Sequence, residues 1–226
     1  MIREVDINEI SDGKRYHAND MVRIGCNDCE GCSKCCHDMG KSIILDPYDI
    51  YQLKTRLGKS FEELLSGENP VIELSMADGV LLPNLKMQDD TNSCSLLSSS
   101  GRCTIHDYRP GICRLFPLGR IYEEGNFSYF NQIYECDYPN KSKVKIKKWL
   151  GINNISEYER YIIKWHDFLE RYRESAKNMD QMNELSAIMV EFLGDFYKSD
   201  YRPDESIYNQ IYARIDTFID KKFEKK

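Results

Sequence analysis

The chain has 226 residues, of which 41% are hydrophobic and 30% are charged, and no segment approaches the roughly 20 consecutive apolar residues that a membrane-spanning helix needs. A membrane protein is therefore not expected. The 31 Lys and Arg residues against 37 Asp and Glu residues give a net charge of -6, and a chain with this acidic surplus repels the phosphate backbone of a nucleic acid.

The N-terminal segment indicates a compartment. Charged residues at positions 3, 4, 6 and 9 interrupt the stretch in which a secretory signal would need an unbroken apolar region, so we expect a cytoplasmic protein. Because the cytoplasm keeps thiols reduced, and because nine cysteines cannot all pair, disulfides are not the expected use of the cysteines.

Two short helices are predicted in the first part of the chain. Asp46 is a suitable N-cap with Pro47 at the first helical position, and Gly58 supplies the stop. A second helix begins directly afterwards, because Ser60 followed three residues later by Glu63 forms a capping box.

Two β-hairpins are predicted around pairs of turn-forming residues. The first comprises residues 71–76 and 80–85 around Asp78-Gly79, and the second comprises residues 120–123 and 127–134 around Gly125-Asn126. Pro83 cannot donate a backbone hydrogen bond, which places its strand at a sheet edge.

No cysteine follows residue 136, and the rest of the chain has the apolar period of helices. Ser156 and Glu159 predict a capping box at the start of the first of three helices, which together suggest a small antiparallel bundle. Their apolar faces, which we expect to form core and not a ligand pocket, comprise Tyr158, Tyr161, Ile162, Trp165, Leu169 and Tyr172; Met182, Leu185, Ile188, Met189, Phe192 and Phe196; and Ile207, Ile211, Ile215, Phe218 and Ile219. The predicted class is α+β, with a cysteine-rich, metal-stapled region of short helices and hairpins at 1–136 and a helical region at 137–226 packed on it.

The cysteines at 26, 29, 32 and 35 follow one another at a constant three-residue interval, and Cys36 adds a fifth sulfur beside the last of them. Disulfides, tetrahedral zinc and an iron-sulfur cluster are the three uses to weigh. A C-x2-C thiol redox pair is a fourth, but that motif opens a helix in a βαβ unit, which the pattern here does not contain.

The spacing favours an iron-sulfur cluster over zinc. A closed zinc site usually takes two C-x2-C knuckles from separate loops, whereas a cubane cluster suits three closely spaced cysteines plus one distant partner. Only one segment of this chain contains C-x2-C motifs, and each of the later cysteines stands alone, at positions 94, 103, 113 and 136. Two adjacent side chains diverge, so Cys35 and Cys36 are not expected to bind the same ion.

These residues resemble the CxxCxxCC cysteine-cluster family, the YkgJ-type proteins to which zinc or iron chelation is attributed. The resemblance covers 29–36 (CEGCSKCC), 42–50 (SIILDPYDI), 94–97 (CSLL), 103–110 (CTIHDYRP) and 113–117 (CRLFP), with Cys136 as the last cysteine. The family pattern implies eight metal-binding cysteines, namely Cys29, Cys32, Cys35, Cys36, Cys94, Cys103, Cys113 and Cys136. Cys26 lies outside that pattern.

Arg109 and Arg114 stand close to Cys103 and Cys113 and are candidates to donate hydrogen bonds to thiolate or sulfide. The alternatives are that Arg109 fixes its turn and that Arg114 forms a surface salt bridge. His37 and His106 could bind either metal, although eight cysteines already suffice for two sites and a polar loop role is favoured.

Three functions remain open from the sequence. The first is a cytoplasmic protein that binds an iron-sulfur cluster, of the 4Fe-4S type, with a redox or accessory role. The second is a zinc-stapled interaction module without catalysis. The third, a metal-dependent enzyme similar to protein lysine methylases, rests on the resemblance alone, because no S-adenosylmethionine-type glycine loop is present. A basic run at 141–148 could dock an unidentified protein partner, but a solvated face is favoured.

Overall fold

The computed structural model describes residues 6–30, 32–177 and 182–223. The prediction from the N-terminus rests partly on residues 1–5, which lie outside this range. The helices are α1 (Ile7–Ile10), α2 (Pro47–Leu57), α3 (Phe61–Ser66), α4 (Gly111–Leu115), α5 (Ile146–Leu150), α6 (Ile155–Lys177), α7 (Met182–Leu193) and α8 (Ile207–Lys222). The strands are β1 (Met21–Gly25), β2 (Ile72–Ala77), β3 (Val80–Leu85), β4 (Leu118–Glu123), β5 (Asn126–Asn131) and β6 (Ser142–Lys145).

The chain divides into two compact units. We call the described residues of Ile44–Lys86 and Lys164–Lys226 the helical unit, and those of Ile2–Ile43 and Met87–Ile163 the cysteine unit. All nine cysteines belong to the cysteine unit. The helices and the small antiparallel sheets confirm the predicted α+β class.

The start of the helical unit follows the predicted caps closely. The Asp46 side chain accepts a hydrogen bond from the amide of Asp49, and Gly58 ends α2 in the left-handed conformation at a φ of 62°. Ser60 and Glu63 form the predicted capping box of α3. Such caps satisfy backbone donors that a helix end leaves without partners.

The hairpin β2–β3 also agrees with the prediction. Ala77 pairs with Val80, so Asp78 and Gly79 form the two-residue turn, and both have the positive φ that a hairpin turn of this kind requires. In the described part of the chain this sheet has two strands, so Pro83 lies on an edge strand as expected.

An aromatic core holds the three long helices of the helical unit together. Phe168 of α6 packs 6.1 Å from the Phe192 ring of α7 and 5.8 Å from the Phe218 ring of α8, measured between ring centroids. These three rings are at most 1% exposed, and burying each contributes about 1.5–3 kcal/mol. Most of the described residues on the predicted apolar faces are buried, as expected of core, whereas Leu185, Met189 and Ile207 are only half-buried. The side chain of Met182, predicted on the same face, lies outside the described part of the structure.

Two local predictions were wrong. The second hairpin pairs Glu123 with Asn126, so its turn is at 124–125 and not at 125–126. Helix α6 already begins at Ile155, which places Ser156 inside the first turn and not at the N-cap. Glu159 instead accepts a hydrogen bond from the Tyr129 hydroxyl at 2.9 Å, so a tertiary contact replaces the predicted capping box.

Among the described residues, no helix combines the length and the apolar character required to cross a bilayer.

Candidate metal centre

The cysteine run begins directly after strand β1. The chain turns at Asn27–Cys29, where the Cys29 amide donates to the Cys26 carbonyl at 3.0 Å. Asn27 and Cys29 have φ values of 50° and 58°, a left-handed conformation that costs a non-glycine residue about 1–2 kcal/mol. The turn brings the Sγ atoms of Cys26 and Cys29 to 3.4 Å from each other.

The segment with the next two cysteines is held by single bridges. Cys94 forms an isolated β-bridge with Met87, and Cys103 forms one with Leu97. The Cys94 amide also donates to the carbonyl of Cys36 at 2.7 Å. Residues almost sixty positions apart are thereby joined through the backbone, so the distant cysteines reach the first run.

The thiols of the first run influence one another. Burial, with a hydrogen bond to the Cys26 thiol and the proximity of the Cys26 and Cys35 sulfurs, raises the pKa of Cys29 to about 12. The hydrogen bond with Cys36 and then burial raise the pKa of Cys35 well above its ordinary value. A proton is therefore held tightly on these thiols. Because the side chains of Cys35 and Cys36 are joined by this hydrogen bond, the expectation that these two adjacent side chains diverge was wrong.

The distant cysteines join the same group. Burial raises the pKa of Cys94, and the nearby sulfurs of Cys103 and Cys35 raise it further. Burial likewise raises the pKa of Cys103, again with a contribution from Cys35. Cys35 is therefore a common neighbour of thiols from both halves of the cysteine pattern.

Arg109 is a cation that acts on several thiols of this group. Its guanidinium lowers the pKa of three thiols, those of Cys29, Cys35 and Cys103, and so opposes the effect of burial. Its Nη1 atom lies 2.5 Å from Nε2 of His106, while its Nε donor is buried and has no hydrogen-bond partner among the described residues. A buried donor beside sulfur atoms suits a hydrogen bond to a charged sulfur.

Arg114 has contacts of a different kind. Its Nε donates to the carbonyl of Arg109 at 3.0 Å and its Nη1 to the carbonyl of Leu150 at 3.3 Å, and its Nη2 donates to the carbonyl of Asp107. These bonds fix the turn that carries Arg109.

The last cysteine of the pattern lies beside the first run. Lys34, between two cysteines of that run, forms an ion pair with Asp137. The hydrogen bond to Asp137 and, to a smaller extent, the Cys136 sulfur raise the pKa of Lys34. The Cys136 carbonyl accepts from Nζ of Lys141 at 2.5 Å, so two lysines hold this segment.

Cys32, Cys113 and His37 have other surroundings. Cys32 is half-buried and its amide donates to the Cys29 carbonyl at 3.0 Å, and Cys113 is half-buried on α4. His37 forms an isolated β-bridge with Ser93 and so helps to align the two cysteine segments through its backbone.

The cysteine thiols are donors that suit a thiophilic cation, although they do not form a complete coordination site in the structure. Within residues 6–30, 32–177 and 182–223, no three Cys, His, Asp or Glu side chains stand ready to hold an ion. The thiols nevertheless come together from distant segments, and their raised pKa values are what a cation reverses when it displaces the protons. The unpartnered Nε of Arg109 is a further feature that a bound thiolate or sulfide would satisfy.

Sequence reasoning missed two features of this site. The contact between Cys26 and Cys29 was not expected, although the three-residue interval from Cys26 was a signal for it. The ion pair between Lys34 and Asp137 joins positions 103 residues apart, and no local pattern in the sequence indicates such a pair.

Comparison with known proteins gives a family for the cysteine pattern. Residues 28–137 match the model of the CxxCxxCC family, described as "Putative zinc- or iron-chelating domain". No match was found among the curated proteins or among the solved structures. The matched segment contains the eight cysteines of the pattern together with Arg109 and Arg114, and over residues 28–137, slightly less than half of the chain, the protein is similar to the CxxCxxCC family.

Proposed function

We propose that the cysteine unit binds an iron-sulfur cluster, of the [4Fe–4S] type, through cysteine thiolates. The observation that carries the proposal is the junction of the two cysteine segments, in which the Cys94 amide donates to the Cys36 carbonyl at 2.7 Å. The sulfur of Cys35 also raises the pKa of Cys29, Cys94 and Cys103. A cubane cluster is typically bound by several closely spaced cysteines together with one cysteine from a distant segment. Such a cluster supplies one-electron transfer, which suits a redox or accessory role.

The ligand candidates are the eight cysteines of the family pattern. They are Cys29, Cys32, Cys35, Cys36, Cys94, Cys103, Cys113 and Cys136. In this proposal Arg109 donates its free Nε–H to a metal-bound sulfur and offsets part of the negative charge. Arg114 positions Arg109 through the carbonyl of that residue.

Anaerobic purification tests the proposal. The full-length protein should be brown, with iron and acid-labile sulfide in about equal amounts and a broad visible absorption that bleaches on reduction. A colourless protein that contains neither iron nor labile sulfide would refute the cluster.

A zinc-stapled interaction module is the second candidate. It is favoured by the segment at 87–105, which is held by single bridges and turns and not by a sheet of its own. In such a segment a metal can replace the core that short elements cannot form. Stoichiometric zinc, about two ions for eight thiolates, in protein prepared without added zinc would favour this function over the cluster.

We also infer that the protein works in the cytoplasm. The nine cysteines are free thiols, as a reducing compartment would keep them. The acidic net charge of -6 argues against a nucleic-acid partner, which leaves a protein as the proposed partner. Cell fractionation and a pull-down from anaerobic lysate test the two statements.

A further inference from the structure

We propose that Cys26, which precedes the matched family segment, is a ligand of the metal centre and acts as a pair with Cys29. The proposal rests on metal binding by the cysteine unit. It concerns a tetrahedral thiolate site for a single ion, as in the second candidate above, because each iron of a cubane cluster takes only one cysteine. The family model begins at residue 28, so this role is not assigned by the family pattern.

The separation of the two sulfur atoms is the first argument. In a tetrahedral site with metal–sulfur bonds of about 2.3 Å, two ligand sulfurs stand about 3.8 Å apart. In a disulfide they are about 2.05 Å apart. The observed 3.4 Å between Sγ of Cys26 and Sγ of Cys29 is close to the ligand separation, so one ion can bridge the pair after a small movement.

The backbone that produces this contact is the second argument. Cys26 follows the end of β1, which is anchored by its pairing with β6, so its position is defined from one side. From the other side the turn at Asn27–Cys29 holds two non-glycine residues at positive φ. Strain of this kind persists where the surrounding structure enforces it, and it is concentrated at functional sites.

The connection to the other thiols is the third argument. The Cys94 amide donates to the Cys36 carbonyl at 2.7 Å, which brings the distant cysteine segment to the first run, and the sulfur of Cys35 raises the pKa of Cys29, Cys94 and Cys103. Cys26 thereby adds a fifth thiol to one continuous group. An apolar packing role alone would not require its sulfur to face another thiol.

Cobalt titration of full-length variants tests the proposal. Co²⁺ bound by thiolates gives sulfur-to-metal charge-transfer bands whose intensity follows the number of thiolates. For Cys26→Ser, which keeps the size of the side chain, we expect the absorbance per bound Co²⁺ to fall by about one quarter, since a closed site has four ligands. Cys26→Val removes the ligand while preserving the packing, because valine fills the buried space without a donor. We expect it to lose the same absorbance and to weaken Co²⁺ binding at least tenfold.

The outcomes separate this proposal from the proposed function. If Cys26→Val and Cys26→Ser bind Co²⁺ with wild-type affinity and spectrum, Cys26 is not a ligand. If the wild-type protein binds no metal at all, the proposed function is refuted, and the role of Cys26 as a ligand is refuted with it. A reversible cystine between Cys26 and Cys29, with the metal spectrum unaffected by either substitution, would also overturn the proposal.

A measurement on the wild-type protein covers the case in which the variants do not fold. Alkylation of each cysteine is followed by peptide mass spectrometry with and without Co²⁺. The rate at Cys26 should fall at least tenfold on metal binding, together with the rate at Cys29. Protection of Cys29 with an unchanged rate at Cys26 would contradict the proposal.

Discussion

The amide of Cys94 donates a hydrogen bond of 2.7 Å to the carbonyl oxygen of Cys36, and this bond joins the two halves of the cysteine pattern. Asp38 and Asn92 reinforce it, because the Asp38 amide donates to the Asn92 carbonyl at 2.9 Å and Nδ2 of Asn92 donates to Oδ1 of Asp38 at 2.6 Å. The relative position of the cysteine segments is therefore set by backbone and amide contacts as well as by any metal.

Substitution of Asn92 should weaken this junction. Asn92 has a φ of 50°, so Asn92→Ala removes a hydrogen bond and leaves alanine in a left-handed conformation. We expect a loss of about 1–3 kcal/mol in the free energy of unfolding and metal binding that is several-fold weaker. Urea denaturation and competition with a chelator measure the two effects.

Asn154 supplies a matched control in the same unit. It has a φ of 53° and one side-chain hydrogen bond, from Nδ2 to Oε2 of Glu157 at 2.7 Å, but it is at the start of α6. Asn154→Ala should cost similar stability and leave metal affinity unchanged. Equal losses of affinity in both variants would show that the junction has no specific effect on the site.

The adjacent cysteines should differ in importance. Cys35 is the neighbour of Cys29, Cys94 and Cys103, whereas the backbone of Cys36 makes the junction to Cys94. Cys35→Ser should therefore lower the metal content of the purified protein at least tenfold, and Cys36→Ser, which keeps its backbone carbonyl, should lower it by a smaller factor. Elemental analysis of both variants measures this, and a greater loss in Cys36→Ser would contradict the ordering.

The local elements could be predicted where one short pattern determines them. The caps at Asp46 and Ser60 and the Asp78-Gly79 turn depend on neighbours within a few residues, and the structure confirms them. The capping box at Ser156 and Glu159 was predicted by the same rule and was wrong. Glu159 is bound by Tyr129, thirty positions away, and a pattern of four residues does not contain that contact.

The site itself was predictable in composition but not in arrangement. Spacing and family resemblance gave the candidate thiols and Arg109. Which thiols become neighbours depends on long-range contacts such as that between Lys34 and Asp137, which the sequence does not show. The division of the chain at residue 137 and the eight-cysteine ligand set stay predictions.

The two arginines should affect the site in different ways. Arg109 lowers the pKa of the Cys29, Cys35 and Cys103 thiols, so Arg109→Gln should shift the pH midpoint of Co²⁺ loading upward. Arg114→Gln removes bonds to backbone carbonyls and should lower stability while moving the midpoint less. Spectroscopic titration from pH 5 to pH 9 separates the two, and equal midpoints for wild type and Arg109→Gln would argue against direct contact with the metal-bound sulfur.

The contact that replaced the predicted capping box should stabilise the cysteine unit. Glu159→Ala leaves the hydroxyl of Tyr129, a residue that is only 1% exposed, without its acceptor, which costs about 1–3 kcal/mol. Ser156 is exposed in the first turn of α6, so Ser156→Ala should change stability by less than about 0.5 kcal/mol. Urea denaturation curves of the two variants test this prediction. A larger loss of stability in Ser156→Ala than in Glu159→Ala would support the capping box that the sequence predicted.

Removal of metal should reverse the pH dependence of stability. Without metal, the Cys29 thiol keeps its proton to a pKa of about 12, whereas in the unfolded chain it loses the proton near 9.0. Above pH 9 the unfolded state therefore binds fewer protons than the folded state, and stability falls as the pH rises towards 12. The buried thiols of Cys94 and Cys103 contribute in the same direction.

With metal bound, the same thiols are deprotonated ligands, so protons compete with the metal and stability is lost on the acid side instead. Thermal unfolding should be measured between pH 5 and pH 10, because above this range the titration of tyrosines, with an ordinary pKa of 10.0, also affects stability. We expect the unfolding temperature to rise with pH for the metal-bound protein and to fall with pH after a chelator has removed the metal. Cys29→Ser should reduce the alkaline decline of the metal-free protein and, because it removes a ligand, should also change the acid-side loss of the metal-bound protein. Parallel curves for the two forms would mean that these thiols do not exchange their protons for a metal.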